Sequence, residues 1–187
     1  MKFSIQRENL LLPITQVVGV VERRQTLPVL ANFLISVQGK RLSVTGTDME
    51  VELITSVEAD VQAEGETTVP ARKLVDIVRM LPEGVSITAV LEGDKLTVSS
   101  GRGRYTLATL PATEFPATDQ VETLESVKIQ EDILKNLLDK TSFAMANQDV
   151  RYYLNGLLFD FHDNQLSTVA TDGHRLAVCD LETDLGV

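Results

Sequence analysis

Apolar and polar residues alternate along this 187-residue chain with two periods, one typical of strands and one typical of helices. Residues 1–5 predict a short strand, and apolar residues over 10–21 then recur at the spacing of a single helix face. Pro13 lies inside that pattern, where a proline either kinks a helix or occupies its first turn. A second helix is predicted over 71–81, and a Pro-Glu-Gly turn marks its end.

Short strands account for most of the remaining sequence, since apolar and polar residues alternate there between glycine-containing turns. In the first half the predicted strands are 29–37, 41–45, 50–57, 67–70, 86–91, 95–99 and 104–107. Residues 110–119 contain two prolines and predict an irregular connector. Beyond it the pattern predicts strand 127–130, helix 131–143, and strands 152–161, 165–170 and 174–180.

The sequence repeats itself at an offset of 124 positions without a gap, so that residues 3–53 align with residues 127–177. The apolar pattern is shared along this alignment, and nine of the aligned pairs are identical. The identical pairs are Ile5/Ile129, Gln6/Gln130, Leu10/Leu134, Leu30/Leu154, Leu34/Leu158, Leu42/Leu166, Ser43/Ser167, Thr47/Thr171 and Asp48/Asp172.

The repeat predicts two domains, 1–122 and 123–187, of which the second contains only about half of a unit. A full unit combines antiparallel sheets with two amphipathic helices packed on one face, which predicts an α+β fold. Either the second copy is reduced or the chain is a fragment of a longer protein, and we expect the fragment.

Charge and composition limit the class of protein. The chain has 27 acidic and 17 basic residues, a net charge of −10, whereas nucleic-acid-binding proteins usually carry a basic excess. A local basic strip can still act on an acidic protein, because charges more than about 10 Å apart are screened. The single cysteine excludes a disulfide framework and a cysteine-based zinc site. The polar N-terminus and the absence of a long apolar run predict a cytoplasmic protein without a membrane partner.

The segment 171–175, Thr-Asp-Gly-His-Arg, is a candidate for chemistry. Asp172 beside His174 could perform acid–base catalysis, and His174 could bind a metal ion together with His162. The first copy has the same Thr-Asp pair without a histidine, so a turn in which the aspartate accepts backbone N–H groups explains both copies more simply. We therefore expect no catalytic residue and no metal site, with an enzyme that uses Asp172 and His174 as the alternative.

Basic residues mark two further surfaces. Arg72 and Arg79 share one face of the second predicted helix, and Gln148 is followed closely by an Arg-Tyr-Tyr sequence at 151–153. Such side chains suit phosphate contact and base stacking. They equally suit a solvated helix face and half-buried strand tyrosines, so the residues alone leave nucleic-acid binding open.

Five segments of the chain carry a resemblance to a known family. They are TLPVL at 26–30, LSVTGTD at 42–48, TVPARK at 68–73, QDVRYYLNG at 148–156 and VATDGHRLA at 169–177. The first three resemble the first domain of the bacterial sliding clamp, the beta subunit of replicative DNA polymerase III, and the last two resemble its second domain. The resemblance extends in register from residue 1 to about residue 182.

This resemblance implies the DNA-clamp (processivity) fold and a function that needs neither catalysis nor a cofactor. Clamps of this family are rings of two chains, each with three similar domains, that encircle duplex DNA regardless of its sequence. DNA polymerases and the clamp loader dock on the ring through short peptide motifs. An acidic exterior with a locally basic lining would then reconcile the net charge with DNA.

The resemblance also implies candidate residues, position by position. The positions that match family residues near DNA are Arg24, Gln148, Tyr152 and Tyr153, with Arg72 and Arg79 as further candidates for the lining. The positions that match one wall of the peptide-binding pocket are Leu154, Thr171, Gly173, His174, Arg175 and Leu176. The positions that match the first domain's face of the dimer interface are Lys73, Ile77, Leu81, Tyr105 and Leu107.

In the family, a third domain supplies the other wall of that pocket and the other face of that interface. We therefore expect this 187-residue piece to form no closed ring and to bind such peptides poorly. A peptide-binding adaptor that does not contact DNA is the alternative from a different class of protein.

Overall fold

The fold, a computed structural model, is described for residues 1–21, 27–116, 128–162 and 165–182. The chain divides into two compact units, Met1–Asp119 (unit 1) and Gln120–Val187 (unit 2). Both units pack α-helices on antiparallel sheets, which confirms the α+β prediction. The predicted division after residue 122 falls outside the described residues and stays a prediction.

Unit 1 has two α-helices and nine strands among its described residues. The helices are α1 (Arg7–Val17) and α2 (Ala71–Met80). The strands are β1 (Lys2–Gln6), β2 (Asn32–Gln38), β3 (Arg41–Thr47), β4 (Glu52–Glu58), β5 (Asp60–Ala63), β6 (Gly65–Pro70), β7 (Ser86–Glu92), β8 (Lys95–Ser100) and β9 (Gly103–Ala108). They form a five-stranded sheet in the order β5-β1-β7-β8-β9 and a four-stranded sheet in the order β4-β3-β2-β6.

One apolar core joins the two helices to both sheets of unit 1. Alternate residues of β2 face it, so that Phe33 and Ile35 are buried while Leu34 between them is only half-buried. Pro13 is buried inside α1 and not in its first turn, so that alternative is wrong. Burial of these large side chains is the main source of stability in unit 1.

Two differences from the predicted elements of unit 1 have local causes. The segment Pro28–Ala31 forms a 3₁₀ turn before β2, because proline pre-sets the first residue of such a turn. The predicted strand from residue 29 is therefore wrong up to residue 31. Strand β5 was not predicted, because its four residues contain a single half-buried valine, Val61, and give little alternating pattern.

Unit 2 consists, in its described part, of one α-helix on a three-stranded sheet. The elements are α3 (Glu131–Thr141), β10 (Leu158–His162), β11 (Gln165–Thr171) and β12 (Leu176–Glu182), with sheet order β10-β11-β12. The predicted strand at 127–130 is wrong over 128–130, which has no regular structure. The segment Tyr152–Asn155 is a 3₁₀ turn and not the start of a strand.

The structure confirms the sequence repeat element by element. Helix α1, strand β3 and strand β4 begin and end 124 positions before α3, β11 and β12, respectively. The 3₁₀ turns Pro28–Ala31 and Tyr152–Asn155 have the same offset. Unit 2 therefore follows the fold of the first half of unit 1.

Candidate functional site

The turn between β11 and β12 carries most of the residues predicted to bind peptides. Asp172 Oδ1 accepts the N–H groups of His174 at 2.9 Å and of Arg175 at 3.0 Å. The Thr171 hydroxyl donates to the Arg175 carbonyl oxygen at 2.7 Å and accepts the Gly173 N–H at 3.0 Å. These bonds fix a tight turn whose middle residue, Gly173, has φ of +88°, a backbone region that favours glycine.

The corresponding turn of unit 1 has the same bonds at the same offset. Asp48 Oδ1 accepts the N–H groups of Glu50 at 2.9 Å and of Val51 at 2.7 Å. Met49 replaces the glycine at φ of +79°. The prediction that the shared Thr-Asp pair forms a turn is therefore confirmed.

A second loop, 148–155, carries the tyrosines predicted to approach DNA. Asp149 accepts two side-chain bonds from Arg151, from Nε at 3.0 Å and from Nη2 at 2.8 Å, and the backbone N–H of Arg151 at 2.8 Å. Asn155 closes the loop with a pair of 3.0 Å bonds to the Asp149 backbone. Gln148 precedes this ring of bonds with φ of +57°. The loop is therefore held by its own polar groups rather than by a core.

Arg151 also connects this loop to the 171–176 turn. A Cβ placed on Gly173 would lie 3.5 Å from Arg151 Nη1, so the guanidinium packs directly over the glycine. Gly173 thus meets two demands at once, a left-handed backbone and close contact with Arg151. Within unit 2, the two sets of predicted residues belong to one continuous surface.

Large apolar and aromatic side chains are exposed on this surface. Tyr152 is 83% exposed, Tyr153 68% and Leu176 66%, whereas Leu154 is half-buried beneath its turn. Arg175 pairs with Asp172 at 3.0 Å and lies 5.8 Å from the centre of the Phe143 ring, a cation–π distance. Exposed apolar groups rimmed by charge are typical of a protein-binding site.

The predicted DNA-facing residues of unit 1 have different surroundings. Arg24 lies outside the described residues. Arg72 Nη2 donates to the Val21 carbonyl oxygen at 2.7 Å, so this arginine ties α2 to the segment after α1. Arg79 is exposed in the last turn of α2, where a cation also stabilises the helix dipole.

The predicted interface residues of unit 1 divide into buried and accessible ones. Ile77, Leu81 and Leu107 belong to the core of the unit and are 6–8% exposed. Lys73 is exposed and Tyr105 is half-buried. Tyr105 lies on β9, which is an edge strand of the five-stranded sheet and has no strand partner on its outer side among the described residues. An interface here would use the strand edge and Tyr105 more than the three buried residues.

The geometry of Asp172 does not favour an acid–base catalyst. Its pKa is lowered, first by the backbone N–H of His174 and then by that of Arg175. A general base near neutral pH needs a raised pKa, so this carboxylate is suited to holding a turn. Among the described residues, no cluster of three or more His, Cys, Asp or Glu side chains could hold a metal ion. No helix of the described segments is long and apolar enough to span a bilayer.

One cavity is lined by none of these residues. It has a volume of about 630 Å³, belongs to unit 1, and is open to solvent. Its polar lining includes Ser4, Gln6, Lys40, Glu58 and Asp60. The carboxylates and the lysine lie in a groove that is open to solvent, and we assign no function to this groove.

Sequence reasoning missed two arginine contacts. Arg7 donates from Nε and Nη2 to the carbonyl oxygens of Val78 and Arg79, each at 3.1 Å, and so caps the end of α2. Arg151 was predicted as part of a basic and aromatic segment, but not as the link between two loops. The Asp-x-Arg spacing at 149–151 was a usable signal, since such pairs form local bidentate bonds.

The pKa of Asp149 offers a direct test of this loop. Arg151, first through its side-chain bonds and then through its backbone N–H, lowers the pKa of Asp149 to about 2. Because the folded-state pKa is depressed, the interaction favours the loop above pH about 4 and is lost as the pH falls toward 2. We expect Arg151→Gln to move the pKa of Asp149 upward, as measured by carboxyl ¹³C NMR.

Asp48 is the matched control, because backbone N–H groups of Val51 and Glu50 lower its pKa without an arginine. The Arg151→Gln substitution should leave the Asp48 titration unchanged. A normal pKa for Asp149 in the unsubstituted protein would contradict the bidentate pair.

Nearly the whole chain matches proteins of one family. Residues 1–119 match the family model of the DNA polymerase III beta subunit, N-terminal domain, and residues 128–186 match the model of its central domain. The beta sliding clamp of Pseudomonas aeruginosa is 54% identical over 99% of this chain and 51% of its own length. The beta sliding clamp of Escherichia coli K12 is 50% identical over 97% of this chain and 50% of its own length.

Solved structures agree with these relatives. A crystal structure of the DNA polymerase III subunit beta from Pseudomonas aeruginosa matches with a TM-score of 0.96 and 53% identity over 100% of this chain and 51% of that chain. A Pseudomonas aeruginosa clamp bound to griselimycin matches with a TM-score of 0.94 and 54% identity over 99% of this chain and 50% of that chain. The chain spans about half the length of the curated relatives it matches. It belongs to the family of the DNA polymerase III beta subunit, whose N-terminal and central domains it matches in order.

Proposed function

We propose that the protein works as a DNA sliding clamp, in which this chain supplies the first domain, 1–122, and part of the second domain, 123–187. The observation that carries the proposal is the TM-score of 0.96 at 53% identity to a DNA polymerase III beta subunit over the full chain. At that identity and TM-score, the fold is shared over the chain. The full-length ring would encircle duplex DNA in the cytoplasm and tether the replicative polymerase.

The charge distribution supports a hold that is topological rather than adhesive. The chain has a net charge of −10, while α2 exposes Arg72, Lys73 and Arg79 against a single acidic residue, Asp76. Each neutralised phosphate adds a slope of about −0.9 to the dependence of log K on log salt, so a few cations give weak binding. Weak contacts permit sliding, because a tight contact would have to break at every step. Arg24, Gln148, Tyr152 and Tyr153 complete the proposed DNA-facing set.

The continuous surface of unit 2 supports peptide docking. We assign to it Leu154, Thr171, Gly173, His174, Arg175 and Leu176, as one wall of a pocket for short motifs of polymerases and the clamp loader. The support is the ring of hydrogen bonds that fixes the turn and the exposure of Leu176 and Phe143 beside Arg175. Pre-organised turns lower the ordering cost of binding, so a short motif can bind such a wall through few contacts.

The ring interface is proposed at the β9 edge, with Lys73, Ile77, Leu81, Tyr105 and Leu107. Its support is the open strand edge of the five-stranded sheet, with half-buried Tyr105 beside it. In the family, the matching face lies in a third domain. The 187-residue chain alone is therefore expected to form no closed ring. A closed ring-shaped dimer of this chain in solution would contradict that expectation.

One experiment separates a clamp from an adaptor that does not bind DNA. The full-length gene product is loaded onto nicked circular DNA by its own cell extract, and the circle is then cut once. We expect the protein to remain on circles and to leave linear DNA, because a ring slides off a free end. Retention on both forms would mean that contacts hold it, and absence from both forms would favour an adaptor that does not bind DNA.

A further inference from the structure

The connector that follows β9 is bound to the edge of β6 through one antiparallel bridge. Leu110 pairs with Thr68 in an antiparallel bridge. The Leu110 carbonyl oxygen accepts the Thr68 N–H at 3.1 Å and the Thr68 hydroxyl at 3.0 Å, and the Leu110 N–H donates to that hydroxyl oxygen at 3.2 Å. One leucine of the connector is therefore held by three hydrogen bonds to a single threonine.

The site that receives Leu110 is built and buried. Thr68 is completely buried, and its hydroxyl oxygen also accepts a bond from Asn32 Nδ2 at 2.9 Å. Asn32 is 6% exposed. A buried hydroxyl that lost its partner would be costly, so removal of Leu110 leaves Thr68 in need of a replacement acceptor.

Five residues further on, an aromatic side chain anchors the connector. A 3₁₀ turn, Ala112–Glu114, carries the chain around, and Phe115 then packs with Val29 and Leu30 at 7% exposure. Leu34 and Leu110 complete this cluster, which is separate from the main core of unit 1. The aromatic anchor is thus buried in a groove of its own.

An added strand together with an apolar anchor is one of the general ways in which proteins bind extended peptides. Backbone bonds supply affinity, and a pocket for one large side chain supplies specificity. The segment 110–115 meets both conditions, except that it is part of the same chain. It therefore has the geometry of a bound ligand that is supplied in cis.

The repeat identifies the equivalent positions of unit 2. Val29, Leu30 and Leu34 correspond to Tyr153, Leu154 and Leu158 of unit 2. In unit 1 the first two are buried, at 6% and 2% exposure, whereas Tyr153 is 68% exposed, Leu158 is 60% exposed and Leu154 is half-buried. In unit 1 the connector therefore covers the first two positions and packs against the third.

We infer that unit 1 contains a peptide-binding groove, formed by Val29, Leu30, Leu34 and Thr68, that its own segment 110–115 occupies. When the segment leaves, the groove accepts a peptide whose leucine and phenylalanine are five positions apart and are joined by the same 3₁₀ turn. This inference rests on contacts within unit 1 and does not depend on DNA encirclement or on the surface of unit 2. A tethered segment acts at an effective concentration of about millimolar, so free peptides compete poorly with it.

The test removes the anchor and returns it on a separate molecule. The probe is a fluorescent ten-residue peptide with the sequence of residues 108–117, Ala-Thr-Leu-Pro-Ala-Thr-Glu-Phe-Pro-Ala. We expect the Phe115→Ala chain to bind it about ten-fold or more tightly than the unsubstituted chain does, as measured by fluorescence anisotropy. The same peptide with alanine in place of its phenylalanine should not bind.

Two further variants identify the site. Leu30→Ala in the Phe115→Ala background should abolish the gained binding, because it removes the floor of the groove. Phe161→Ala makes the same chemical change on β10 of unit 2 and should bind the probe no better than the unsubstituted chain does. Equal binding by the Phe115→Ala and unsubstituted chains, or binding that ignores the probe's phenylalanine, would overturn the inference.

Hydrogen exchange provides a readout that does not depend on affinity. In the Phe115→Ala chain the Thr68 amide should lose its protection from exchange, while the amides that pair β2 with β3 keep theirs. Addition of the peptide should restore the protection of the Thr68 amide. If Phe115→Ala unfolds unit 1, Phe115→Leu provides the same readout with most of the apolar contact kept. Thr68 protection that neither substitution lowers, or that the peptide does not restore, would show that no exchangeable groove exists.

Discussion

Replacement of Gly46 by alanine is expected to lower the free energy of unfolding of unit 1 by about 1–3 kcal/mol. Gly46 is buried on β3 beneath the end of α1, where a Cβ would lie 2.7 Å from Val17 Cγ1 and 3.3 Å from the Val17 carbonyl oxygen. Val17 is 1% exposed and β-branched, so its side chain has little freedom to move aside. The helix must then shift as a whole, which disturbs the packing of the core.

A double-mutant cycle makes this prediction specific. The cost of Gly46→Ala should be smaller by about 1 kcal/mol in a Val17→Ala background, because the closest contact is then absent. Gly19→Ala is the matched control, since Gly19 is exposed and has nothing within 4 Å of its would-be Cβ. Denaturant unfolding measures all four variants. Additive costs at Gly46 and Val17 would mean that the contact between them is not what excludes alanine.

Unit 2 has alanine at the equivalent position, which shows how the two copies differ. Ala170 is 2% exposed on β11 and packs with Ala144 and Ala177. The repeat therefore predicts that a helix packs on a strand in both copies. It does not predict the spacing between that helix and that strand. That spacing depends on pairs of side chains across the contact, which a pattern along one strand does not contain.

The predicted elements succeeded where one period dominated and failed where a turn interrupted an apolar run. Strands β3 and β11 were placed correctly because their alternation is regular. The run from Val29 to Leu34 gave no signal that its first residues would close into a 3₁₀ turn, and the same error followed at 152–155 through the repeat. An apolar run identifies a buried segment more reliably than it identifies the backbone geometry.

The candidate surface was predictable in part for a similar reason. The Thr-Asp turn could be derived from its presence in both copies, since residues shared by repeats form shared backbone structure. The position of Arg151 over Gly173 could not, because it depends on how two loops distant in sequence approach each other. Arg72 was predicted to share one helix face with Arg79, and its bond to the Val21 carbonyl oxygen is a contact that no periodicity reveals.

Unit 2 is expected to open at lower free energy than unit 1, by about 2 kcal/mol or more. The described residues of unit 2 bury few large apolar side chains, Leu137 and Leu166, beside three alanines. On its sheet, Phe159 is 38% exposed and Phe161 48%. Apolar area that remains in water does not stabilise the fold.

The contact between helix and sheet adds to this difference. Val17 and Val44 fill it in unit 1, whereas the equivalent residues of unit 2 are Thr141 and Thr168. Their hydroxyl groups are 3.4 Å apart, and the Thr141 hydroxyl donates to the Leu137 carbonyl oxygen at 2.8 Å. Buried hydroxyl groups are tolerated when they are hydrogen-bonded. They still contribute less to the free energy of unfolding than two methyl groups would in the same place.

Leu42 and Leu166 make a matched pair for the measurement, because they are equivalent in the repeat, identical, and buried at 0% and 2% exposure. Amide hydrogen exchange should therefore be about 30-fold faster at Leu166 than at Leu42, which corresponds to about 2 kcal/mol. Strands β3 and β11 have the same length and register, so local strand geometry cancels in the comparison. Equal protection at the two leucines would mean that the exposed aromatic side chains of β10 do not limit the stability of unit 2.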